Sequence, residues 1–362
     1  MKKILHIIHG LNRGGAETFI FNLIKNSDNR SLIHNIAIQN PVISHIELKN
    51  LCESLGGKIF IISDFRSKIF SHYQDLKELL EEGFDFVHIH NNALINPVPL
   101  IVASKYKNRV ILHSHNTKNG GGGLLGKLLH KINTSFFIKK DINRYACGRD
   151  AGKWMYGNRD FKIVYNAVNL NDFKFNKENS DQIRQRYNLN NNFIIGHVGR
   201  FLPVKNQLFL IKMFNELIKR DKTREYALML IGDGPQMKVA KNLVEKLGLK
   251  NKVIFTGNVP NPQVYYSAFD CFMLPSLYEG FAFVAVEAQA SGLKVIASNN
   301  NTDEINITGK VQFLPLKDMN NWIDSIIGIK KDYNHVEISN KLVGSAFDLN
   351  NFRNSVNDIY FS

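Results

Sequence analysis

Short apolar runs rich in β-branched residues alternate with amphipathic stretches along the chain. In the first half the runs are KILHII, HNIAIQN, KIFIIS, FDFVHIH, RVILHSH, RYACG and KIVYNA, and residues 15–27, 44–56 and 69–82 have helical periodicity. A second series begins at FIIGHVGR and continues through ALMLIGDG, KVIFTGN, CFMLP, KVIAS and VQFLPL. This alternation is typical of βα units, in which helices cover both faces of a parallel sheet. It predicts an α/β protein with two doubly wound domains.

A polar, asparagine-rich segment separates the two series of strands. We predict an N-terminal domain over residues 1–168, a linker over 169–192, a C-terminal domain over 193–345 and a final helix over 346–362 that returns toward the N-terminal domain. Ligands of open parallel sheets bind beyond the carboxyl ends of the strands. We therefore expect the functional residues in the turns after strands, in a cleft between two facing sheets.

Bulk composition excludes several classes of protein. A hydrophobic content of 44% supplies two cores, so a disordered chain is excluded. No apolar run approaches the roughly 20 residues of a membrane span, and the opening MKKILHIIHGLNRGG is unlike a secretory signal. The cysteines Cys52, Cys147 and Cys271 lack the CxxC spacing of a zinc site or a disulfide framework. We predict a cytoplasmic protein.

Positive charge is concentrated in one zone. The formal net charge is +14, and residues 105–162 contain thirteen Lys or Arg against three acidic residues. Such a field favours an anionic partner, either phospholipid headgroups, a phosphorylated substrate or nucleic acid, although a solvated basic face without a partner is the alternative. Aromatic residues do not alternate regularly with the basic ones, which argues against nucleic acid.

A glycine pair follows the first predicted strand, in HGLNRGGAE. The amides of Gly14 and Gly15 can approach a phosphate or a sugar closely at a helix N-terminus. The spacing is not the GxGxxG of a dinucleotide site, which argues against an NAD oxidoreductase. A tight strand-to-helix turn without a ligand is the alternative.

Two cations follow the first strand of the second series, in GHVGRFLPVKNQ. Arg200 offers bidentate contact and Lys205 a point charge, which together suit a diphosphate. Two further turns bear glycine, LIGDGP and FTGNVPNPQV, and backbone groups around Asn258 and Val259 could receive the edge of a nucleobase. Either turn taken alone is more often a structural turn that binds no ligand.

Two glutamates lie eight positions apart in EGFAFVAVEAQASGLKVIAS. A carboxylate beside a phosphate pocket is unfavourable unless it binds hydroxyls, because two anions repel each other. Glu287 can accept hydrogen bonds from vicinal ribose hydroxyls, and Glu279 can contact the sugar side of the leaving group. The alternative is a pair of partly buried glutamates satisfied by nearby amides.

In VILHSHN, two histidines fall on the same side of a strand end. His113 and His115 are two residues apart, and strand side chains alternate between faces. No third ligand stands at a suitable local spacing, so a hydrogen bond to a sugar hydroxyl is a better interpretation than a metal site. A satisfied core histidine is the alternative, more so for His113.

The motifs GGAE, GRFLPVKNQ, IGDGP and LPSLYEGFAFVAVEAQASGLKVIAS, in this order, resemble the retaining glycosyltransferases of family 4. The resemblance covers nearly the whole chain, and residues 279–287 fit the E-x7-E signature of that family. It implies the GT-B fold, two Rossmann-like domains facing each other across a cleft. It also implies transfer from a nucleotide sugar with retention of anomeric configuration, without a metal or a cofactor.

The resemblance assigns roles to individual residues. Arg200 and Lys205 would hold the diphosphate, Glu287 the ribose, Glu279 the phosphate and donor sugar, and His115 the donor sugar. The residues implied to bind the donor are Gly14, Gly15, Arg200, Lys205, Asn258, Val259, Glu279, Gly280, Phe281 and Glu287. Those implied in catalysis are His115, Glu279, Arg200 and Lys205.

The basic zone suggests a membrane surface. The segment GGGGLLGKLLHKINTSFFIKK predicts a glycine loop followed by a helix with leucines on one side and Lys127 and Lys131 on another. A helix packed by its leucines on the N-terminal sheet is the alternative. With the resemblance, the zone predicts a peripheral enzyme on the inner face of the cell membrane. Its acceptor would be a lipid-linked sugar or another carbohydrate in exopolysaccharide, capsule or O-antigen synthesis.

Two other functions suit the same fold. A catalytically inactive nucleotide-sugar-binding protein would need Arg200 and Lys205 but not Glu279 or His115, and all four are present. A nucleotide-sugar epimerase would release free isomerised nucleotide sugar rather than a glycoside. UDP is favoured as the nucleotide only because it is the commonest carrier in such families.

Overall fold

A computed structural model of the chain describes residues 1–12, 14–106, 109–117, 123–138, 141–330 and 335–361. The chain divides into two units. The first unit comprises Met1–Ala167 with Asn350–Ser362, and the second comprises Val168–Leu349. In the described ranges, no helix combines the length and the apolar character needed to cross a membrane.

The first unit contains a parallel sheet of seven strands in its described part, in the order β3-β2-β1-β4-β5-β6-β7. The strands are β1 (Lys2–Ile8), β2 (Leu32–Ile38), β3 (Ile59–Ile61), β4 (Phe86–Asn91), β5 (Arg109–Ser114), β6 (Asn143–Ala146) and β7 (Lys162–Ile163). Between them lie α1 (Gly15–Asn26), α2 (Ile46–Ser54), α3 (Ile69–Glu81), α4 (Val98–Ala103), α5 (Gly123–Phe137) and α6 (Arg149–Tyr156).

The second unit contains a parallel sheet of six strands among its described residues, in the order β10-β9-β8-β11-β12-β13. The strands are β8 (Phe193–Val198), β9 (Tyr226–Ile231), β10 (Val253–Gly257), β11 (Cys271–Leu274), β12 (Val295–Ser298) and β13 (Val311–Leu314). The α-helices are α7 (Leu170–Phe173), α8 (Lys177–Arg186), α9 (Gln207–Arg220), α10 (Met237–Lys246), α11 (Gln263–Tyr266), α12 (Phe283–Ala290), α13 (Met319–Ile327) and α14 (His335–Asn340). Pro203–Lys205 and Asp303–Ile305 form short 3-10 helices.

The predicted pair of doubly wound parallel sheets is confirmed. Each apolar run that predicts a strand contains one, and the helices predicted over 15–27, 44–56 and 69–82 are α1, α2 and α3. Parallel strands covered on both faces read as nearly continuous apolar runs. That is why short β-branched runs located them.

The segment 169–192, predicted as a linker, instead contributes α7 and α8 to the second unit. Ile183 is buried there, and Arg184 donates to Oδ2 of Asp270 at 2.8 Å and to the carbonyl of Asn192 at 2.9 Å. One buried isoleucine and one arginine therefore attach α8 to the sheet. The polar composition of the remaining residues conceals this in the sequence.

The last helix, α15 (Leu349–Phe361), packs on the first sheet from Asn350 onward. Its buried side chains include Phe352, Val356 and Tyr360, and Oη of Tyr360 lies 2.8 Å from Nδ1 of His88 on β4. The chain thus crosses from the second unit back to the first within this helix.

Alternate residues of the second sheet face two separate cores. On β9, Leu228 and Leu230 pack with α9 and α13, whereas Ala227, Met229 and Ile231 pack with the core of the opposite face. On β8, Gly196 faces Phe269, and a Cβ at this glycine would lie 2.1 Å from Cδ2 of the ring. The close approach of that ring to the backbone of β8 therefore requires glycine.

Replacing Gly196 by alanine should lower the free energy of unfolding of the second unit by about 1–3 kcal/mol, since the added methyl group overpacks the core against Phe269. Urea denaturation followed by circular dichroism measures the change. Gly328→Ala is the matched control, because its φ is −70° and the nearest atom to its Cβ lies at 3.4 Å. Equal midpoints for the two variants would contradict this packing argument.

Candidate functional site

The carboxyl edge of the second sheet has its switch point between β8 and β11. The chain runs from β8 to β9 and β10 on one side of the sheet, and β11 to β13 lie on the other. The turns that follow β8 and β11 are therefore neighbours, and the amide of Leu277 donates to the carbonyl of Val204 at 2.8 Å. Open parallel sheets bind ligands at this kind of position.

An ion pair joins these two turns. Nζ of Lys205 lies 2.7 Å from Oε1 and 2.9 Å from Oε2 of Glu279, and both side chains are largely buried. The hydroxyl of Ser276 also donates to Oε1 of Glu279, at 2.6 Å. Lysine neutralises the carboxylate and, with three donors, retains capacity for a further acceptor. This pairing explains how a glutamate is tolerated beside a predicted anion site.

Arg200 is exposed near the start of the turn after β8, and it forms no ion pair with any described residue. Its carbonyl accepts a hydrogen bond from Nε2 of the buried Gln207 at 3.1 Å, which fixes the backbone below the guanidinium. Its charge is therefore available to an anion at this edge.

The turn after β9 packs against the backbone of the turn after β8. A Cβ at Gly232 would lie 2.3 Å from the carbonyl oxygen of Gly199, and one at Gly234 would lie 2.6 Å from that of Phe201. The amide of Phe201 donates to the carbonyl of Asp233 at 2.9 Å. Glycines in LIGDGP thus shape the turn that carries Arg200.

Glu287 lies on α12 and is held by a tyrosine. Oη of Tyr266 donates to Oε2 of Glu287 at 2.6 Å, which orients the carboxylate. Burial raises the pKa of Glu287, and the hydrogen bond from Tyr266 opposes that rise. Partial burial removes water from this carboxylate, and a ligand hydroxyl that donates to it would take the place of that water.

The other residues predicted to bind a donor in this unit are spread along the same edge. Phe281 stacks on Phe347, with ring centroids 5.4 Å apart, and Gly280 precedes it. Asn258 and Val259 follow β10, two strands away from β8. No hydrogen bond between described residues joins Asn258 or Glu287 to the Lys205–Glu279 pair. The structure therefore brings Lys205 and Glu279 into contact and leaves the rest as separate groups.

In the first unit, Gly14 caps the N-terminus of α1 and Gly15 is its first residue. A Cβ at Gly14 would lie 2.6 Å from Oε2 of Glu17, whereas a Cβ at Gly15 would meet nothing within 4 Å. Oε1 of Glu17 accepts from the amide of Asn12 at 3.3 Å. The helix N-terminus is thus adjacent to a carboxylate, and Gly15 is the more open of the two glycines.

His115 lies just beyond β5 and is half-buried. Its ring stacks on that of His113, with centroids 4.4 Å apart, and its Nε2 lies 2.9 Å from Nδ1 of His90. Burial lowers the pKa of His115 to about 3, so the ring is neutral at pH 7. In this state it can donate one hydrogen bond and accept one.

Sequence reasoning missed a cluster of histidines on one face of the first sheet. The triads His6, His88, His90 and His90, His113, His115 each place one ring nitrogen per residue within 4.8 Å of the others and could hold a metal ion. In the structure, however, several of these nitrogens form ring-to-ring hydrogen bonds, which use the lone pairs that a metal would need. The HxH pattern on two strands was a visible signal of the cluster.

Ser276 and Tyr266 were also missed. Ser276 had a weak signal, since it lies three residues before Glu279, whereas Tyr266 lies 21 residues before Glu287. Only the packing of α11 beside α12 brings that tyrosine to the carboxylate.

The chain is similar in sequence to a known family and to several named proteins. Residues 179–339 match the family described as Glycosyl transferases group 1. Over 338 residues the chain is 29% identical to EpsF, a putative glycosyltransferase of Bacillus subtilis (strain 168). The aligned region covers 90% of this chain and 87% of EpsF.

Two further relatives have more specific names. CapH, a capsular polysaccharide biosynthesis glycosyltransferase of Staphylococcus aureus, is 25% identical over 372 residues, covering 100% of this chain and 99% of CapH. The UDP-Gal:alpha-D-GlcNAc-diphosphoundecaprenol alpha-1,3-galactosyltransferase of Escherichia coli is 26% identical over 301 residues, covering 77% of this chain and 74% of the relative.

The crystal structure of Anabaena HepE in complex with UDP-glucose resembles this chain with a TM-score of 0.81, at 19% identity and with 99% of each chain covered. Together with the two parallel-sheet units, this likeness confirms the predicted GT-B fold. The family match and the named relatives support a GT-B glycosyltransferase. CapH links such relatives to capsular polysaccharide synthesis.

Replacing Glu287 by glutamine should raise the melting temperature at pH about 8 and leave it unchanged at pH about 4. A carboxyl whose pKa is higher in the folded than in the unfolded chain loses stability as pH rises from its unfolded pKa, about 4.3, through its folded pKa. Burial raises the pKa of Glu287 in this way, and glutamine still accepts from Tyr266. Differential scanning calorimetry at both pH values measures the effect.

Glu245→Gln is the matched control, because Glu245 is exposed and Lys250 lowers its pKa. Its removal should not raise the melting temperature at pH about 8. A rise in that control as large as in the Glu287 variant, or no rise in the latter, would contradict the raised pKa of Glu287.

Proposed function

We propose that this protein is a retaining, metal-independent glycosyltransferase of family 4. It moves a hexose or N-acetylhexosamine from a nucleotide sugar to a lipid-linked oligosaccharide or similar acceptor. The acceptor belongs to exopolysaccharide, capsule or O-antigen synthesis. The enzyme needs no cofactor beyond its nucleotide-sugar donor.

The ion pair beside an exposed arginine is the observation that carries the proposal. Lys205 and Glu279 join the turns after β8 and β11, and Arg200 stands exposed at the same edge. When the bond to the sugar breaks, negative charge develops on the departing nucleoside diphosphate. Fixed cations stabilise this charge because they need no reorganisation at that moment. Arg200 and Lys205 are the proposed source of the stabilisation.

The two glutamates have different proposed roles. Glu287, oriented by Tyr266, accepts hydrogen bonds from the ribose hydroxyls. Glu279 contacts the donor sugar and the phosphate region, where Lys205 compensates its charge. Retention of configuration is proposed from the E-x7-E resemblance of residues 279–287.

His115 and Gly15 are proposed to serve from the first unit. The neutral ring of His115 supplies a hydrogen bond to the donor sugar, and the open space at Gly15 admits a phosphate or an acceptor close to the backbone. Asn258 and Val259 are proposed to receive the base, and Gly280 and Phe281 to line the sugar region.

UDP is the proposed nucleotide. The E. coli relative uses UDP-Gal and a diphosphoundecaprenol-linked acceptor, and HepE was crystallised with UDP-glucose. These names support a UDP-sugar donor and a lipid-linked acceptor for this chain as well.

Helix α5 supports binding to a membrane surface. Its buried residues are Gly126, His130 and Asn133, and Nδ2 of Asn133 donates to the carbonyl of Leu94 at 2.9 Å. The helix therefore packs on the unit through its polar side. Five of its large apolar side chains are exposed, from 42% for Ile132 to 84% for Leu124.

An exposed apolar stripe flanked by lysines suits an anionic bilayer. Leu124, Leu125, Leu128 and Phe136 supply the apolar part, and Lys127 and Lys131 are exposed beside them. Each cation near such a surface contributes about 1 kcal/mol. Lys139, Lys140 and residues 120–122 of the predicted glycine loop lie outside the described residues. We propose peripheral attachment to the inner face of the cell membrane.

Replacing Arg200 by alanine should weaken UDP binding about 10-fold or more, because a hydrogen bond to a charged group is worth about 1.5–3 kcal/mol. UDP, GDP, ADP and their sugars are first scanned for thermal stabilisation of the wild-type protein, since a bound ligand raises the melting temperature. Titration of the best nucleotide then compares the variants.

Arg220→Ala is the matched control, since Arg220 forms an exposed pair with Asp324 on α9 and α13. An undiminished thermal shift in both Arg200→Ala and Lys205→Ala would overturn the phosphate site.

Product analysis with the lipid-linked acceptor separates the three candidate functions. A glycoside supports transfer, free isomerised nucleotide sugar indicates an epimerase, and binding without product indicates an inactive binding protein.

Replacing Lys127 and Lys131 together by glutamate should abolish co-sedimentation with vesicles of phosphatidylglycerol, since the reversal turns attraction to anionic lipid into repulsion. Leu124→Ser with Leu128→Ser should weaken it through the apolar part. The charge-matched control replaces Lys238 and Lys246, both exposed on α10 of the second unit, by glutamate. Unchanged sedimentation of the Lys127/Lys131 variant would contradict the membrane proposal.

A further inference from the structure

Four histidines form a continuous hydrogen-bonded row across the first sheet. Nδ1 of His34 lies 2.9 Å from Nε2 of His6, Nδ1 of His6 lies 3.0 Å from Nε2 of His90, and Nδ1 of His90 lies 2.9 Å from Nε2 of His115. The row begins on β2, crosses β1 and β4, and ends beside β5. It connects the buried interior of the sheet to the residue proposed to contact the donor sugar.

Two further histidines of the same face form a separate pair. Nε2 of His88 lies 3.3 Å from Nδ1 of His113, and Nδ1 of His88 lies 2.8 Å from Oη of Tyr360. His88 and His90 are both buried on β4 with stacked rings 4.2 Å apart, yet only His90 forms a hydrogen bond with His115. His88 therefore offers an internal comparison for His90.

Burial keeps the row neutral. The pKa values of His6, His34 and His90 all lie below that of an exposed histidine, because burial penalises the charged ring. A neutral imidazole carries one N–H and one lone pair. Every contact in the row joins Nδ1 of one ring to Nε2 of the next. All four rings must then share one tautomer, with the proton either on each Nδ1 or on each Nε2.

The buried end of the row distinguishes the two states. Nε2 of His34 is buried and has no hydrogen-bond partner among the described residues. If each Nε2 carried the proton, this end would be an orphaned N–H donor, which is rarer in proteins than an orphaned acceptor. If each Nδ1 carries the proton, the orphan is only a lone pair. The second state leaves Nδ1–H of His115 at the other end of the row.

We propose that His34, His6 and His90 are positioning residues that hold His115 as the Nδ1–H tautomer. His115 thereby presents a permanent hydrogen-bond donor to an oxygen of the donor sugar, either a hydroxyl or a carbonyl. This inference rests on the proposed function for the identity of the ligand. The tautomer itself depends only on the contacts within the first unit.

The tautomer is measured directly by nitrogen-15 NMR on the full chain labelled at the histidine rings. His115→Gln assigns the His115 signals by their loss. In the wild-type protein, long-range couplings should show the proton on Nδ1 of His115. A proton on Nε2 of His115 would overturn the proposal. So would a proton on Nε2 of His34.

Three variants test whether the row positions His115 for its ligand. His90→Leu removes the donor to Nε2 of His115, which releases the tautomer, and should lower kcat/KM for the nucleotide sugar about 10-fold. His90→Asn keeps an N–H near the position of Nδ1 and should recover most of the loss. Affinity for the bare nucleoside diphosphate should stay unchanged in both variants, because this ligand lacks the transferred sugar that His115 is proposed to contact.

His88→Leu is the matched control, with equal burial on the same strand and no hydrogen bond to His115. It should leave the His115 signals and kcat/KM within about 2-fold of the wild type. Equal losses in the Leu variants of His88 and His90, or no rescue by His90→Asn, would overturn the positioning role. Because the NMR result needs no turnover, failure of the proposed function is distinguishable from failure of this inference.

Discussion

The parallel pairing of β8 with β11 is the constraint on which the site of the second unit depends. Ile195 pairs with Cys271 and Gly196 with Phe272, and the ring of Phe269 rests against Gly196 without room for a Cβ. Because strands of a parallel sheet end at one edge, this pairing makes the turns after β8 and β11 neighbours. The contact of Lys205 with Glu279 follows from that arrangement.

Charge at this edge is balanced before any ligand arrives. Lys205 compensates Glu279, Tyr266 holds the half-buried Glu287, and Arg200 remains exposed. In the proposed function, an anion would meet an available cation, whereas the hydroxyls of a sugar would meet carboxylates that are already oriented. This division of labour suits a ligand that joins a diphosphate to sugars. It also reconciles two glutamates with an anion site.

The first unit uses a different electrostatic device. It buries five histidines on one face of its sheet, and the cost of burying charge keeps these rings neutral. In the proposed row, each neutral ring fixes which nitrogen of the next ring carries the proton, and no charge moves along the row. Helix α5 of the same unit packs inward through Gly126, His130 and Asn133, and three of its leucines, Leu124, Leu125 and Leu128, are exposed. In both cases the residues that are buried decide which groups remain accessible: the ring of His115 in the first and the exposed leucines of α5 in the second.

The sequence alone determined the parallel sheets, five of the helices (α1, α2, α3, α5 and α15) and the turns that carry Arg200, Lys205 and Glu279, because strand periodicity and turn residues are local properties. It could not show that Lys205 would pair with Glu279, 74 residues away, or that α8 would join the second unit. The histidines lie on four different strands or just after them, and the sequence does not show that they form one hydrogen-bonded row. Strand order and the choice of packed face are decided by burial between distant segments, so only the tertiary structure reveals them.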